Sequence, residues 1–246
     1  ASDVYKRQSL QCAICMPKRF RTEKGQHMSE MVKVVVDAMG GDNAPEEPVK
    51  AAVEAVKEKE NIQVILTGVQ DVIEAELRKY PDYPKDRIRV VHASQVIETA
   101  EPPVMAIQKK KDSSIVVGLN LVKKQEADAF VSSGSTGAVL VGGQVIVGRI
   151  KGIRRPPLAP LIPTAKGVSL LIDCGANVDA RPDHLVQFAQ MGSIYMENVV
   201  GIKKPRVAIV NNGAEEEKGN ALVKATFPLL KAVSYTHLTL PTKRIV

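Results

Sequence analysis

The sequence predicts an α/β fold, a Rossmann-like layered sandwich built on a mainly parallel sheet. Three observations predict it. Short β-branched runs alternate with helical patterns along the chain, as strand–helix–strand units with right-handed crossovers require. With no Trp and only 4% aromatic residues among 246, the core must be built from Val, Ile, Leu and Ala, a composition that suits strands buried on both faces. Several strands also run into polar, glycine-bearing loops that precede helices. No internal repeat is evident.

Val32–Asp37 is an apolar, β-branched strand. Over Pro48–Glu60, Val49, Ala52, Val53 and Val56 fall at i, i+3, i+4 and i+7, one face of a helix. Ile62–Thr67 is the second strand, closed by Gly68. Asp71 is expected to cap a helix running to Lys79. Ile88–His92 is the third strand. The polar connection Ala93–Pro103 exceeds the usual loop length, and loops of that size are often functional or mobile. Helices Val104–Lys111 and Ser113–Gln125 follow, hinged near Asp112. Asp128–Ser132 is a strand and Thr136–Ile150 a glycine-rich helix. The proline cluster Arg154–Thr164 is a crossover or edge segment, since proline cannot donate to a central ladder. Val168–Asp173 is a strand, Asp183–Asn198 a helix, Arg206–Asn211 a strand and Glu216–Lys231 a helix that Pro228 ends or kinks.

The net charge of +7 suggests nucleic acid until it is located. Residues 1–30 carry six Lys/Arg against three Asp/Glu, and residues 233–246 add Lys243 and Arg244, leaving +2 on residues 31–232. No basic patch of a nucleic-acid binder stands out, and the Lys109–Lys111 run reads as a solvated helix end. Three cysteines make no disulfide framework. Cys12 and Cys15 read as a chance pair, and Cys174 as a small core residue. No metal site and no cofactor are expected. Ala129–Gly148 is an uncharged run long enough to cross a bilayer, but SSGSTG in its middle makes strand, polar loop and helix the better reading.

Both ends look foreign. Asp3–Gln8 resembles a translated adapter end, and Val233–Val246 a read-through tail. The expectation is a non-native leader over 1–30, an α/β domain over 31–232 and an artefactual tail over 233–246, with the authentic start at Met28 or Met31 and a C-terminal continuation cut away.

Four loops follow strands in the same manner: Asp37–Pro45, Ser132–Gly137, Asp173–His184 and Asn211–Asn220. In one parallel sheet they would share the carboxyl edge, where open α/β sheets bind ligands. Glycines let backbone amides approach a ligand, and helix N-termini suit an anion such as phosphate. SSGSTG is an anion site or a plain N-cap loop. GGD, Gly40 to Asp42, is a wall of that site or a tight turn, and it matches no nucleotide-binding spacing. Asp37 and Asp42 are equally caps or turn residues. Asn177 and Asp179 bond their own loop or a ligand. His184 reads as a surface residue near a helix start. Lys218 is either a functional cation or an ion-pair partner of Glu215 or Glu217.

Taken in order, VDAMGGDNAP, VSSGSTGA, GRIKGIRRPPLAP, DCGANVDARPDHLVQFAQMGS and EEEKGN resemble the phosphate acyltransferases of bacterial phospholipid synthesis (PlsX) over about residues 31–232. Departures occur at Ser135, where the family often has Asn, and at Asn212 and Ala214. The resemblance implies a fold related to isopropylmalate dehydrogenases and phosphotransacetylases, usually dimeric. It implies a reaction in which acyl-[acyl carrier protein] and orthophosphate give acyl phosphate and free carrier. The product then feeds glycerol-3-phosphate acyltransferase, and the protein is cytoplasmic, peripheral to the inner face of the cell membrane.

Orthophosphate is already an anion near neutral pH, so no covalent nucleophile is needed, and no Ser–His–Asp or Cys–His arrangement is evident. On this reading Gly134, Ser135, Thr136 and Gly137 bind phosphate through amides and hydroxyls. Gly40, Gly41, Asp42 and Asn43 form the adjacent wall. Lys218 stabilises charge, and Asn177 is a neighbouring donor. The rivals are an acyl-coenzyme A:phosphate transferase of the phosphotransacetylase kind, a carrier-binding fragment without activity and, more weakly, a dehydrogenase.

Overall fold

The first strand, β1 (Val32–Asp37), lies inside a four-stranded sheet with β2 (Ile62–Gly68), β3 (Ile88–His92) and β4 (Ala129–Val131), in the order β3-β2-β1-β4. Every pairing is parallel: Val34 faces Val64 on one side and Ala129 on the other. The computed structural model describes residues 31–165, 167–213, 218–232 and 237–238. The expected leader, and the expected tail apart from His237 and Leu238, lie outside the described residues.

Alternation along the strands sends side chains into two separate cores, because successive strand residues point to opposite faces. Val35, Ile65 and Phe130 join one cluster with Ile107, Ile115, Leu119 and Val139. These come from α3 (Pro103–Lys109), α4 (Ser114–Lys123) and α5 (Thr136–Gly142). Val64 and Leu66 join the other cluster with Val49, Val53, Val56 and Ile73, from α1 (Glu46–Glu58) and α2 (Gln70–Leu77). The result is the layered α/β arrangement that the composition required.

Several local readings shift. Asp71 does not cap α2: Val69 stands at the N-cap, no side chain caps it, and the helix ends at Leu77 rather than Lys79. Ser113 does cap α4, its hydroxyl accepting the Val116 N–H. The long connection after β3 is tied down. Ser94 bonds Asp112 through its amide and hydroxyl, and Lys110 Nζ reaches the Val96 carbonyl at 2.7 Å and Glu101 at 2.6 Å. The glycine-rich helix is α-helical only to Gly142 and continues as a π turn over Gly143–Val147.

The chain divides into two compact units, the break falling between Arg149 and Ile150. In the second unit, β5 (Leu161–Thr164) and β6 (Gly167–Leu170) form an antiparallel hairpin, Leu161 facing Leu170. The expected strand Val168–Asp173 is therefore shorter and is not part of the parallel sheet. Its upstream neighbour is only a few residues away, whereas a parallel pairing needs a crossover of about a dozen residues or more. Helix α6 (Pro182–Asn198) packs on α7 (Ala221–Lys231) through Ala189, Leu230 and Ile209. Asn220 caps α7 by accepting the Val223 N–H at 3.0 Å, so the helix begins later than Glu216. The strand expected over Arg206–Asn211 is reduced to β7 (Arg206–Val207), paired in parallel with β8 (His237–Leu238).

Candidate functional site

Strands β1 and β4 are parallel neighbours, with Val36 opposite Val131. Their following loops, Asp37–Pro45 and Ser132–Ser135, therefore leave the same edge of the sheet. The loops touch through glycines. A Cβ on Gly40 would lie 2.8 Å from the Gly134 nitrogen and 2.5 Å from Asp37 Oδ2, and one on Gly134 would lie 3.2 Å from the Gly40 Cα. A side chain on Gly40 would collide, and one on Gly134 would press on the Gly40 backbone.

A buried carboxylate sits beneath the contact. Asp37 is 1% exposed. Its Oδ2 accepts the Ser132 hydroxyl at 2.7 Å, and its Oδ1 accepts the Met39 N–H at 3.1 Å. Ser132 Oγ in turn accepts the Gly134 N–H at 3.0 Å. Burial pushes the Asp37 carboxyl above the ordinary carboxylate value, while hydrogen bonds from Ser114, Ser132 and the Met39 and Gly40 amides pull the other way. Asp37 was open to reading as a cap or turn residue. The signal that marks it is an acidic residue closing an otherwise β-branched strand.

Gly40 is buried, and Gly41, Asp42 and Asn43 are exposed. Gly41 has φ +101 and lies against Ser133, a backbone state that favours glycine. The Asn43 carbonyl accepts the Glu47 N–H. Ser135 is buried, and its hydroxyl caps α5 by accepting the Ala138 N–H at 3.3 Å. Thr136 is exposed. Gly137 packs against Pro103, whose Cγ would lie 2.6 Å from an added Cβ. The Gly134 amide is committed to Ser132, but among the described residues the Ser135, Thr136 and Gly137 amides have no internal acceptor. This edge thus offers backbone donors to an anion.

Asn177 and Lys218 belong to the second unit. The Asn177 side-chain amide donates to the Pro156 carbonyl at 3.1 Å and to Asp173 at 3.3 Å. Asp173 also accepts the Leu158 and Asn177 amides, clipping the proline-rich segment to this loop. Lys218 is exposed, and its suggested partners Glu215 and Glu217 lie outside the described residues. Cys174 is exposed rather than in a core, since it falls in the loop beyond β6.

His184 is buried, not on the surface. Its Nδ1 accepts the Arg181 N–H at 3.3 Å. Burial, with Arg155, Arg181 and Arg154 nearby, holds its pKa below the ordinary histidine value. The unfolded chain therefore binds this proton more readily than the folded one, so stability falls as pH drops below about 6.5. Urea midpoints measured from pH 8 downward are expected to show that slope, and His184→Asn, which keeps an acceptor, to flatten it.

Among the described residues no group of His, Cys, Asp and Glu is placed to hold a metal ion, and no helix is long and apolar enough to cross a membrane.

Comparison with known proteins sets this geometry in a family context. A family model described as "Fatty acid synthesis protein" matches residues 32–239. The chain is 56% identical over 200 residues to a phosphate acyltransferase of Alkaliphilus oremlandii, covering 81% of this chain and 59% of that protein. It is 54% identical over 200 residues to one of Clostridium botulinum, covering 81% and 60%. The chain thus spans about three-fifths of the length of these curated relatives. Among solved structures it resembles the EutD phosphotransacetylase from Staphylococcus aureus, with a TM-score of 0.59 at 15% identity, covering 87% of this chain and 68% of that one. A phosphotransacetylase from Streptococcus pyogenes gives 0.61 at 16% identity, covering 84% and 67%. At such identities these two likenesses show the fold alone.

Proposed function

We propose, because this chain belongs to the phosphate acyltransferase family of fatty acid synthesis proteins, that it is part of an enzyme transferring an acyl group from acyl carrier protein to orthophosphate. One observation carries the reading. The Gly40–Gly134 approach fixes two loops side by side at the carboxyl edge of the parallel sheet, with the free amides of Ser135, Thr136 and Gly137 beside them.

In the proposed step a phosphate oxygen attacks the thioester carbonyl. The tetrahedral oxyanion collapses to acyl phosphate, and the carrier leaves as the thiolate of a thiol with a pKa of about 8.5, which then takes a proton. The protein's contribution is to hold phosphate and stabilise the oxyanion, and positioning alone can supply roughly 7–11 kcal/mol. Gly134 to Gly137 form the phosphate seat, with Gly134 shaping it and the amides of Ser135, Thr136 and Gly137 donating. Gly40 to Asn43 form the wall. Lys218 is the stabilising cation and Asn177 an orienting residue of its own loop. On the family ground we place the full-length protein as a cytoplasmic homodimer at the inner face of the membrane. There it passes acyl phosphate to glycerol-3-phosphate acyltransferase.

The test is acyl phosphate formation, trapped with hydroxylamine, from acyl carrier protein and from coenzyme A thioesters in parallel. Preference for the carrier supports the reading. Preference for coenzyme A would make the protein a phosphotransacetylase-like enzyme, and carrier binding without phosphate-dependent release would make this chain a binding fragment. In a full-length version Lys218→Ala is expected to lower turnover by at least about tenfold with folding intact. Unchanged turnover would remove Lys218 from the chemistry.

A further inference from the structure

We propose that Asp37 is a positioning residue for the phosphate seat, acting through Ser132 on Gly134; this rests on the phosphate reading above. Asp37 is too deeply buried to meet a ligand itself. A local turn role would need only the Met39 N–H two residues on. Yet the same carboxylate also holds a hydroxyl 95 residues away in sequence.

The direction of each bond is constrained. Ser132 Oγ accepts the Gly134 N–H, and its single proton goes to Asp37 Oδ2. A hydroxyl has one donor and two acceptor sites, so the carboxylate fixes the rotor and leaves a lone pair aimed at Gly134. An amide at position 37 would offer an N–H to Ser132 instead. Ser132 would then accept twice and keep a buried proton without its partner. The consequence falls on Gly134, which adjoins the free amides of Ser135, Thr136 and Gly137. It also falls on Gly40, packed against both Asp37 and Gly134. The register of the second loop is thus set by a side chain on the first strand.

The experiment uses this chain, with inorganic phosphate titrated against it and binding followed by phosphorus NMR. Asp37→Asn and Ser132→Ala are each expected to weaken phosphate binding by about tenfold or more, one lost buried hydrogen bond's worth. The double variant is expected to bind no more weakly than the worse single one, because both break one relay. Without phosphate, the Gly134 amide signal is expected to shift and its hydrogen exchange to quicken in either variant, while amides of β2 keep parental exchange. Folded variants with parental phosphate affinity would overturn the positioning role alone. Exchange that quickens uniformly over the sheet would make Asp37 a general stabiliser and overturn it as well. No phosphate binding by the unsubstituted chain would overturn the phosphate reading, and this role with it. Should Asp37→Asn fail to fold, Ser132→Ala carries the same test, since it removes the middle link and leaves the carboxylate in place.

Discussion

Gly40→Ala is expected to weaken phosphate binding by at least about tenfold and to destabilise the first unit by about 1–3 kcal/mol, the usual effect of overpacking a tight interior. The added methyl would sit 2.5 Å from Asp37 Oδ2, 2.8 Å from the Gly134 nitrogen and 3.0 Å from Ser132 Oγ. None of these atoms is the far end of a flexible side chain. Asp37 and Ser132 are buried and bonded to each other, and Gly134 is backbone. The only relief is to part the two loops. Gly40 is not among the positive-φ glycines, so alanine suits its backbone and the penalty is one of contact. Gly41→Ala provides the contrast. There φ is +101, but the nearest atoms belong to the exposed Ser133, so strain rather than collision sets the effect, and the Asp37–Ser132–Gly134 relay should survive. Thermal unfolding with and without phosphate separates the two. A Gly40→Ala chain with parental melting temperature and parental phosphate affinity would show that the loops do not depend on this contact.

The sequence made the strand–helix alternation of residues 32–142 legible because local periodicity determines it. Val34 to Val36 read as a strand and fold as one, with Val35 fully buried, and Ser113 reads as a helix start and caps α4. What local pattern does not carry is the partner. Val168–Leu170 looks like any other short strand, and only its closeness to Leu161–Thr164 makes it half of a hairpin. The loop beginning at Asp173 therefore does not follow a strand of the four-stranded parallel sheet. His184 reads as exposed because it follows a proline at a helix start, yet its side of α6 is the buried one, with Phe188 and Ala189. The role of Asp37 was hidden for a related reason. Nothing within ten residues of it names Ser132, and the pairing exists only because β1 and β4 became neighbours. Gly40 and Gly134 read as glycines that bring backbone close to a ligand; the close approach in the structure is that of one loop to the other.

The largest stability effect is expected at Phe130. It is 1% exposed on β4, within the cluster of Val35, Ile115, Leu119 and Val139. Phe130→Ala removes a fully buried ring from a close-packed site and is expected to destabilise the first unit by about 3–5 kcal/mol. The packing partner is specific. Gly118 on α4 is seated so closely that a Cβ there would lie 2.5 Å from Phe130 Cε2 and 2.8 Å from Cδ2. Gly118→Ala alone should therefore destabilise by collision, although alanine favours a helix over glycine by about 1 kcal/mol. Combined with Phe130→Leu, the same methyl enters space that the ring has vacated. The double variant should be more stable than the sum of the single effects allows, with a coupling of about 0.5–3 kcal/mol for residues in contact. The consequence reaches the site, because Ser132 lies two residues beyond Phe130 on the same backbone. A chain that loses the ring should lose protection at Gly134 along with the amides of β1 and β2. The Asp37→Asn variant should lose it at Gly134 alone. Native-state hydrogen exchange reads both patterns, and strict additivity of Gly118→Ala and Phe130→Leu would mean that this helix–strand contact does not set the packing of β4.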